Sequence, residues 1–115
     1  MTGVQTCALP ICELAYGRKR QLEIATTLAL EPEALLLDEP MAGMGREDIQ
    51  RTSDLIRRVA KDRTVLMVEH NMSVVADLSD MITVLARGEV LAEGSYADVS
   101  KNPAVNEAYM GTGQG

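Results

Sequence analysis

Two adjacent carboxylates, Asp38 and Glu39, follow three consecutive leucines, Leu35 to Leu37, and precede Pro40. The leucine run reads as the end of a fully buried strand of the kind found in parallel sheets, and the proline stops it. In open α/β sheets, ligands bind just beyond the carboxyl ends of the strands. Two acids at such a tip are costly to desolvate unless a cation or a proton-transfer task holds them. The simplest division of work is one acid for a divalent cation and one for a water molecule. The plainer alternative is a strand that runs into an acidic turn. A second apolar run, Val65-Leu66-Met67-Val68, ends in Glu69-His70, and His70 is the only histidine of the chain. A lone histidine more often packs or faces solvent than catalyses; its place at a second strand tip singles it out.

The elements that must position these groups follow from periodicity. Leu22, Ala25, Leu28 and Ala29 fall at helical spacing within residues 18 to 30, and Pro32 ends that helix. A first strand is expected over Ala34 to Leu37. A helix follows from about Arg46 to Ala60, with Ile49, Ile56, Val59 and Ala60 on one face, and then a second strand from Thr64 to Val68. Strand, helix and strand in this order make a parallel βαβ unit, right-handed by the general rule, which places Glu39 and His70 at one edge of the sheet. Farther on, Asn71 or Ser73 caps a short helix reaching Leu78. Ile82 to Leu85, a turn at Arg87-Gly88, and Val90 to Ala92 read as a β-hairpin. Ser95 with Asp98 three residues later resembles a capping box. Pro103 suits the first turn of a last helix and Gly111 its C-terminal cap.

Composition narrows the function classes. The hydrophobic fraction of 46% supports a globular core, built without Phe or Trp and with three Tyr, so mainly of Leu, Val, Ile, Ala and Met. The net charge of −6 disfavours binding to nucleic acid or to an anionic lipid surface. No apolar run approaches the roughly 20 residues of a membrane-spanning helix, so membrane association is expected only through a partner protein. Cys7 and Cys12 form neither a disulfide framework nor a metal pattern, and a reducing cytosol fits. The phosphate-cradling pattern G-x-x-x-x-G-K-[ST] does not occur in the 115 residues.

A third feature lies upstream. Gly17 lets backbone approach an anion, at the start of a helix whose free N–H groups and dipole favour negative charge. Arg18, Lys19 and Arg20 in that first turn oppose the dipole unless something anionic is near. A nucleotide phosphate would meet that need; a solvated basic turn is the alternative.

Taken in order, Leu14-Ala15-Tyr16-Gly17-Arg18, the Leu35 to Glu39 run and the Glu69-His70 tip resemble the signature loop, Walker B strand and switch histidine of the ATP-binding subunits of ABC transporters. The basic string after Gly17 and the tail toward Met110-Gly111 look most like the branched-chain amino acid uptake group. The resemblance covers Glu13 to Gly111, and its three motifs together are highly specific. It implies an α/β fold, the C-terminal half of an ABC-type P-loop NTPase domain: a parallel βαβ core, a β-hairpin and short C-terminal helices. Residues 1–12 match nothing in the family and read as artefactual, a genuine divergent leader being the alternative. Residues 13–111 read as a partial ATP-binding domain running from the signature loop, and residues 112–115 as a flexible tail.

The same resemblance implies the roles. The cofactors are ATP and Mg²⁺. Asp38 holds the metal, Glu39 polarises the attacking water, and His70 donates a hydrogen bond to the γ-phosphate. Leu14, Ala15, Tyr16, Gly17 and Arg18 complete the ATP site of an opposite subunit, and Ala42, Gly43, Met44 and Gly45 form a dimer-contact loop. The partners are a second ATP-binding subunit, identical or different, and transmembrane permease subunits, at the cytoplasmic face of the inner membrane; no nucleic acid and no direct membrane insertion are expected. The chain departs from the common pattern where Ala15 replaces Ser, Arg18 replaces Gln and Gly45 replaces Asp. Losing the serine hydroxyl removes a phosphate hydrogen bond worth about 1 kcal/mol. Two other readings compete: an inactive fragment, expected to show apolar surface and no saturable ATP binding at micromolar concentration, and a DNA-maintenance ATPase, whose flanking heptad coiled coils this acidic chain does not show.

Overall fold

The computed structural model describes residues 16–110, and the chain divides into two compact units between Asn71 and Met72. The first unit carries helix α1 (Tyr16–Leu28), strand β1 (Ala34–Asp38), helix α2 (Arg46–Val59) and strand β2 (Thr64–Val68). β1 and β2 pair in parallel, with Leu36 opposite Leu66 and Asp38 opposite Val68. The ladder continues one residue further, where the Glu39 amide donates to the Val68 carbonyl at 2.7 Å. At the other end, the Thr64 amide donates to the Glu33 carbonyl and the Arg63 guanidinium to the Pro32 carbonyl at 2.9 Å, fixing the register where the strands begin.

Alternation along the strands separates two faces. Leu35 is buried and Leu37, Val65 and Met67 are half-buried, while on the opposite face Leu36 is 75% exposed, Leu66 63% and Val68 59%. Ile24 of α1, Ile56 and Val59 of α2, and Pro40 and Met41 of the loop between β1 and α2 are buried.

Helix α1 ends two residues earlier than its apolar spacing suggests. The amides of Ala29, Leu30 and Glu31 turn to carbonyls three residues back, and Glu31 adopts φ 50°, a left-handed exit that leaves the helix before Pro32. Helix α2 buries Ile56 and Val59 as expected, half-buries Ile49 and leaves Ala60 exposed as its C-cap. Its most buried positions include two polar residues, Thr52 and Ser53. The Thr52 hydroxyl donates to Met44 Sδ and accepts from Gln21 of α1, both at 3.4 Å, so the polar atom is satisfied where α1 and α2 pack. Glu47 and Asp48 in the first turn and Arg57 and Arg58 in the last complement the helix dipole.

The second unit carries helix α3 (Met72–Leu78), the antiparallel pair β3 (Ile82–Ala86) and β4 (Glu89–Gly94), two short helices α4 (Tyr96–Val99) and α5 (Pro103–Val105), and a π-helical turn over Asn106–Met110. Arg87 and Gly88, at φ 53° and 77°, form the two-residue loop between β3 and β4, as a type I′ turn requires. A bulge after Val84 lets both Leu91 and Ala92 of β4 turn inward against Val84, Val99 and Val105. Ser95 and Asp98 form the expected reciprocal capping box, and Asn102 caps α5 at Pro103. The Tyr109 hydroxyl donates to the Leu85 carbonyl, tying the last turn to the hairpin. Gly111 lies outside the described residues. No helix among the described residues is long and apolar enough to cross a membrane.

Candidate functional site

Parallel pairing brings both strand tips to one edge, and the side chains there meet. His70 Nδ1 lies 2.6 Å from Glu39 Oε1. A carboxylate only accepts, so that contact places the proton on Nδ1. Both groups are open to solvent, with side-chain exposures of 69% for His70 and 45% for Glu39. Glu39 sits at φ 45°, in the left-handed region that a residue with a Cβ enters at a cost.

Asp38 closes β1 opposite Val68, with an exposed carboxylate that forms no ion pair with any described residue. Among the described residues no group of three His, Cys, Asp or Glu side chains forms a metal cage. A single hard carboxylate nevertheless suits Mg²⁺, which keeps several waters and takes its other oxygens from a substrate phosphate.

Three of the five signature positions, Tyr16, Gly17 and Arg18, form the first described turn of α1; Leu14 and Ala15 lie outside the described residues. Arg18 is exposed. Gly17 is buried, and helix packing gives the glycine a role besides the anion approach expected of it. A Cβ at Gly17 would fall 2.5 Å from Asp48 Oδ2 and 2.7 Å from Asp48 Cβ, so the glycine lets α1 lie against the first turn of α2. Arg20 is engaged within the fold: one guanidinium nitrogen donates to Glu23 at 3.1 Å and the other to the Asp38 carbonyl at 2.9 Å. It clips α1 to the tip of β1.

The loop expected to contact a partner, Ala42, Gly43, Met44 and Gly45, leads from the acid pair to α2. Ala42, Gly43 and Gly45 are exposed and Met44 is half-buried against Thr52. Gly43 turns at φ 75°, and a Cβ there would touch the Tyr16 ring at 3.5 Å, so one signature residue and this loop are neighbours. Glu69 directly follows Val68 at the end of β2. Its carboxylate accepts from the amides of Met41, His70 and Asn71, at 3.3, 3.1 and 3.4 Å.

A parallel βαβ unit with an acid pair and a histidine at its carboxyl edge, preceded by a glycine-bearing helix and followed by a hairpin, is the architecture of an ATP-binding cassette, and the chain resembles the ATP-binding subunits of ABC transporters. The resemblance is to those of branched-chain amino acid transport. Residues 89–114 match the family model described as "Branched-chain amino acid ATP-binding cassette transporter". The high-affinity branched-chain amino acid transport ATP-binding protein LivG of Salmonella typhimurium is 40% identical over 100 residues, which are 85% of this chain and 39% of LivG. BraF of Pseudomonas aeruginosa, of the same description, is also 40% identical, over 85% of this chain and 39% of BraF. A crystal structure of an ABC transporter's ATP-binding cassette in its ADP conformation superposes with a TM-score of 0.77 at 30% identity, covering 87% of this chain and 41% of that one. The chain thus spans about two fifths of the length of these relatives.

Proposed function

We propose that this chain is the signature-to-C-terminus portion of an ATP-hydrolysing subunit of an ABC import transporter, serving branched-chain amino acids or similar small polar solutes. The observation that carries the reading is the 2.6 Å contact between Glu39 and His70 across neighbouring parallel strand tips. Glu39 is the group that polarises the water attacking the γ-phosphate and accepts its proton. With its Nδ1 proton directed to Glu39, the imidazole reaches an anion only through Nε2, and it donates there only when doubly protonated. The same ring therefore joins the γ-phosphate position to Glu39. Mg²⁺, held by Asp38 when bound, supplies neutralisation of phosphate charge.

The remaining roles rest on the same reading. Residues 13–111 are the cassette portion, with residues 1–12 foreign to it. Leu14 to Arg18 contribute to the ATP site of a second ATP-binding subunit, and Ala42 to Gly45 meet that subunit. Permease subunits hold the assembly at the cytoplasmic face of the inner membrane. The 115 residues themselves contain no phosphate-cradling G-x-x-x-x-G-K-[ST] pattern.

The test is a chimera in which residues 13–111 replace the matching segment of LivG. The chimera is expected to hydrolyse ATP. Glu39→Gln, which keeps size and hydrogen bonding but cannot accept the proton, is expected to lower kcat by about 10²-fold or more while ATP binding persists. Hydrolysis by the Glu39→Gln chimera at the parent rate would overturn the assignment.

A further inference from the structure

The Glu69 carboxylate is divided between two loops. Its Oε1 takes the amides of His70 and Asn71, at 3.1 and 3.4 Å, on its own strand's side. Its Oε2 takes the amide of Met41 at 3.3 Å, on the far side of the strand pair. Pro40 and Met41 are both buried, so the Met41 N–H has little access to water and needs an acceptor from the protein. Glu39 stands two residues before Met41, and His70 directly follows Glu69. One half-buried carboxylate therefore joins the two backbone segments whose side chains meet at 2.6 Å.

We propose that Glu69 is the positioning residue of the Glu39–His70 pair: by bridging the Met41 and His70 amides it sets the separation of the two strand tips and holds the Nδ1 contact in place. This rests on reading Glu39 and His70 as the reacting pair. The bridge needs two acceptor oxygens. Glutamine offers one, so Glu69→Gln keeps the side chain's size and severs one arm. The remaining hydrogen bonds of the tips, such as Glu39 amide to Val68 carbonyl, do not involve Glu69 and leave the strands paired.

The experiment uses the whole chain without nucleotide, labelled with ¹⁵N, so its outcome does not depend on whether the chain takes part in hydrolysis. Two signals are followed in the parent, Glu69→Gln, Glu69→Ala and Glu39→Ala: amide exchange at Met41 and the His70 ring nitrogen shifts. In Glu69→Gln the Met41 amide is expected to exchange at least about tenfold faster, and the His70 Nδ1 shift to move toward its value in Glu39→Ala, which has no acceptor for that proton. A merely structural Glu69 would lower the melting temperature without moving the imidazole signals of the folded protein. The inference is overturned if the His70 shifts in Glu69→Gln coincide with the parent's, or if Met41 exchange is unchanged. Should Glu69→Ala not fold, Glu69→Gln alone decides. A hydrolytically competent Glu39→Gln chimera would remove the functional reading and leave this test standing.

Discussion

Glu39 pays for its position in backbone strain, and the sign of that strain is measurable. At φ 45° a Cβ crowds the neighbouring carbonyl, a cost of roughly 1–2 kcal/mol for any L-residue other than glycine. Glycine removes that cost but loses more entropy on folding, which offsets about 0.5–1 kcal/mol. Comparing Glu39→Gly with Glu39→Ala isolates the backbone, because both variants lose the same side-chain contact with His70, itself exposed and worth at most about 1 kcal/mol. The glycine variant is therefore expected to be the more stable by about 0.5–1 kcal/mol. Elsewhere in helices and strands the order is the reverse. Equilibrium denaturation of the two variants reads the difference directly, and in thermal melts it corresponds to about 2–8 °C. Glu39→Asn, which enters the left-handed region more readily than alanine, should fall between them. An alanine variant as stable as the glycine variant would refute the strain, and with it the idea that the tip holds an acid in a conformation its backbone resists.

Two further outcomes follow from the packing and the turns. Gly17→Ala adds a Cβ 2.7 Å from Asp48 Cβ, which no rotation of the Asp48 side chain relieves; the overpacking cost of about 1–3 kcal/mol outweighs the roughly 1 kcal/mol gained in helix propensity, so denaturation should show a net loss, and a net gain would mean that α1 does not lie on α2. Arg87→Asn places a residue suited to positive φ at φ 53°, before Gly88, and should raise stability by about 0.5–1 kcal/mol without altering the β3–β4 amide shifts.

The elements were largely legible because their signals are local. The apolar runs ending at Asp38 and Val68 have the length and flanks of strands, and the helix between them is long enough to return the chain in parallel, so the shared edge of Glu39 and His70 follows from order alone; the full burial expected of the leucine run is not met, because Leu36, Leu66 and Val68 stand exposed on one face. Arg87-Gly88 and the Ser95–Asp98 pair act within two to four residues and were read for the same reason. What escaped depends on tertiary contact. Thr52 is buried through polar pairing with Gln21 of the neighbouring helix, which an apolar pattern does not register. The buried face of Gly17 is set by Asp48, 31 positions away in sequence. The left-handed Glu39 carries no composition signal, since glutamate has no preference for that region. The bridge made by Glu69 uses three backbone amides, and amides look alike in any sequence.

The most direct test of the paired strand tips is a double-mutant cycle in the LivG chimera, with kcat measured for Glu39→Gln, His70→Ala and both together. If the two groups act as a unit on one γ-phosphate, the double variant loses no more than the worse single variant, because removing either member already disables the pair. Losses that multiply, or a His70→Ala variant that hydrolyses ATP at the parent rate, would contradict it.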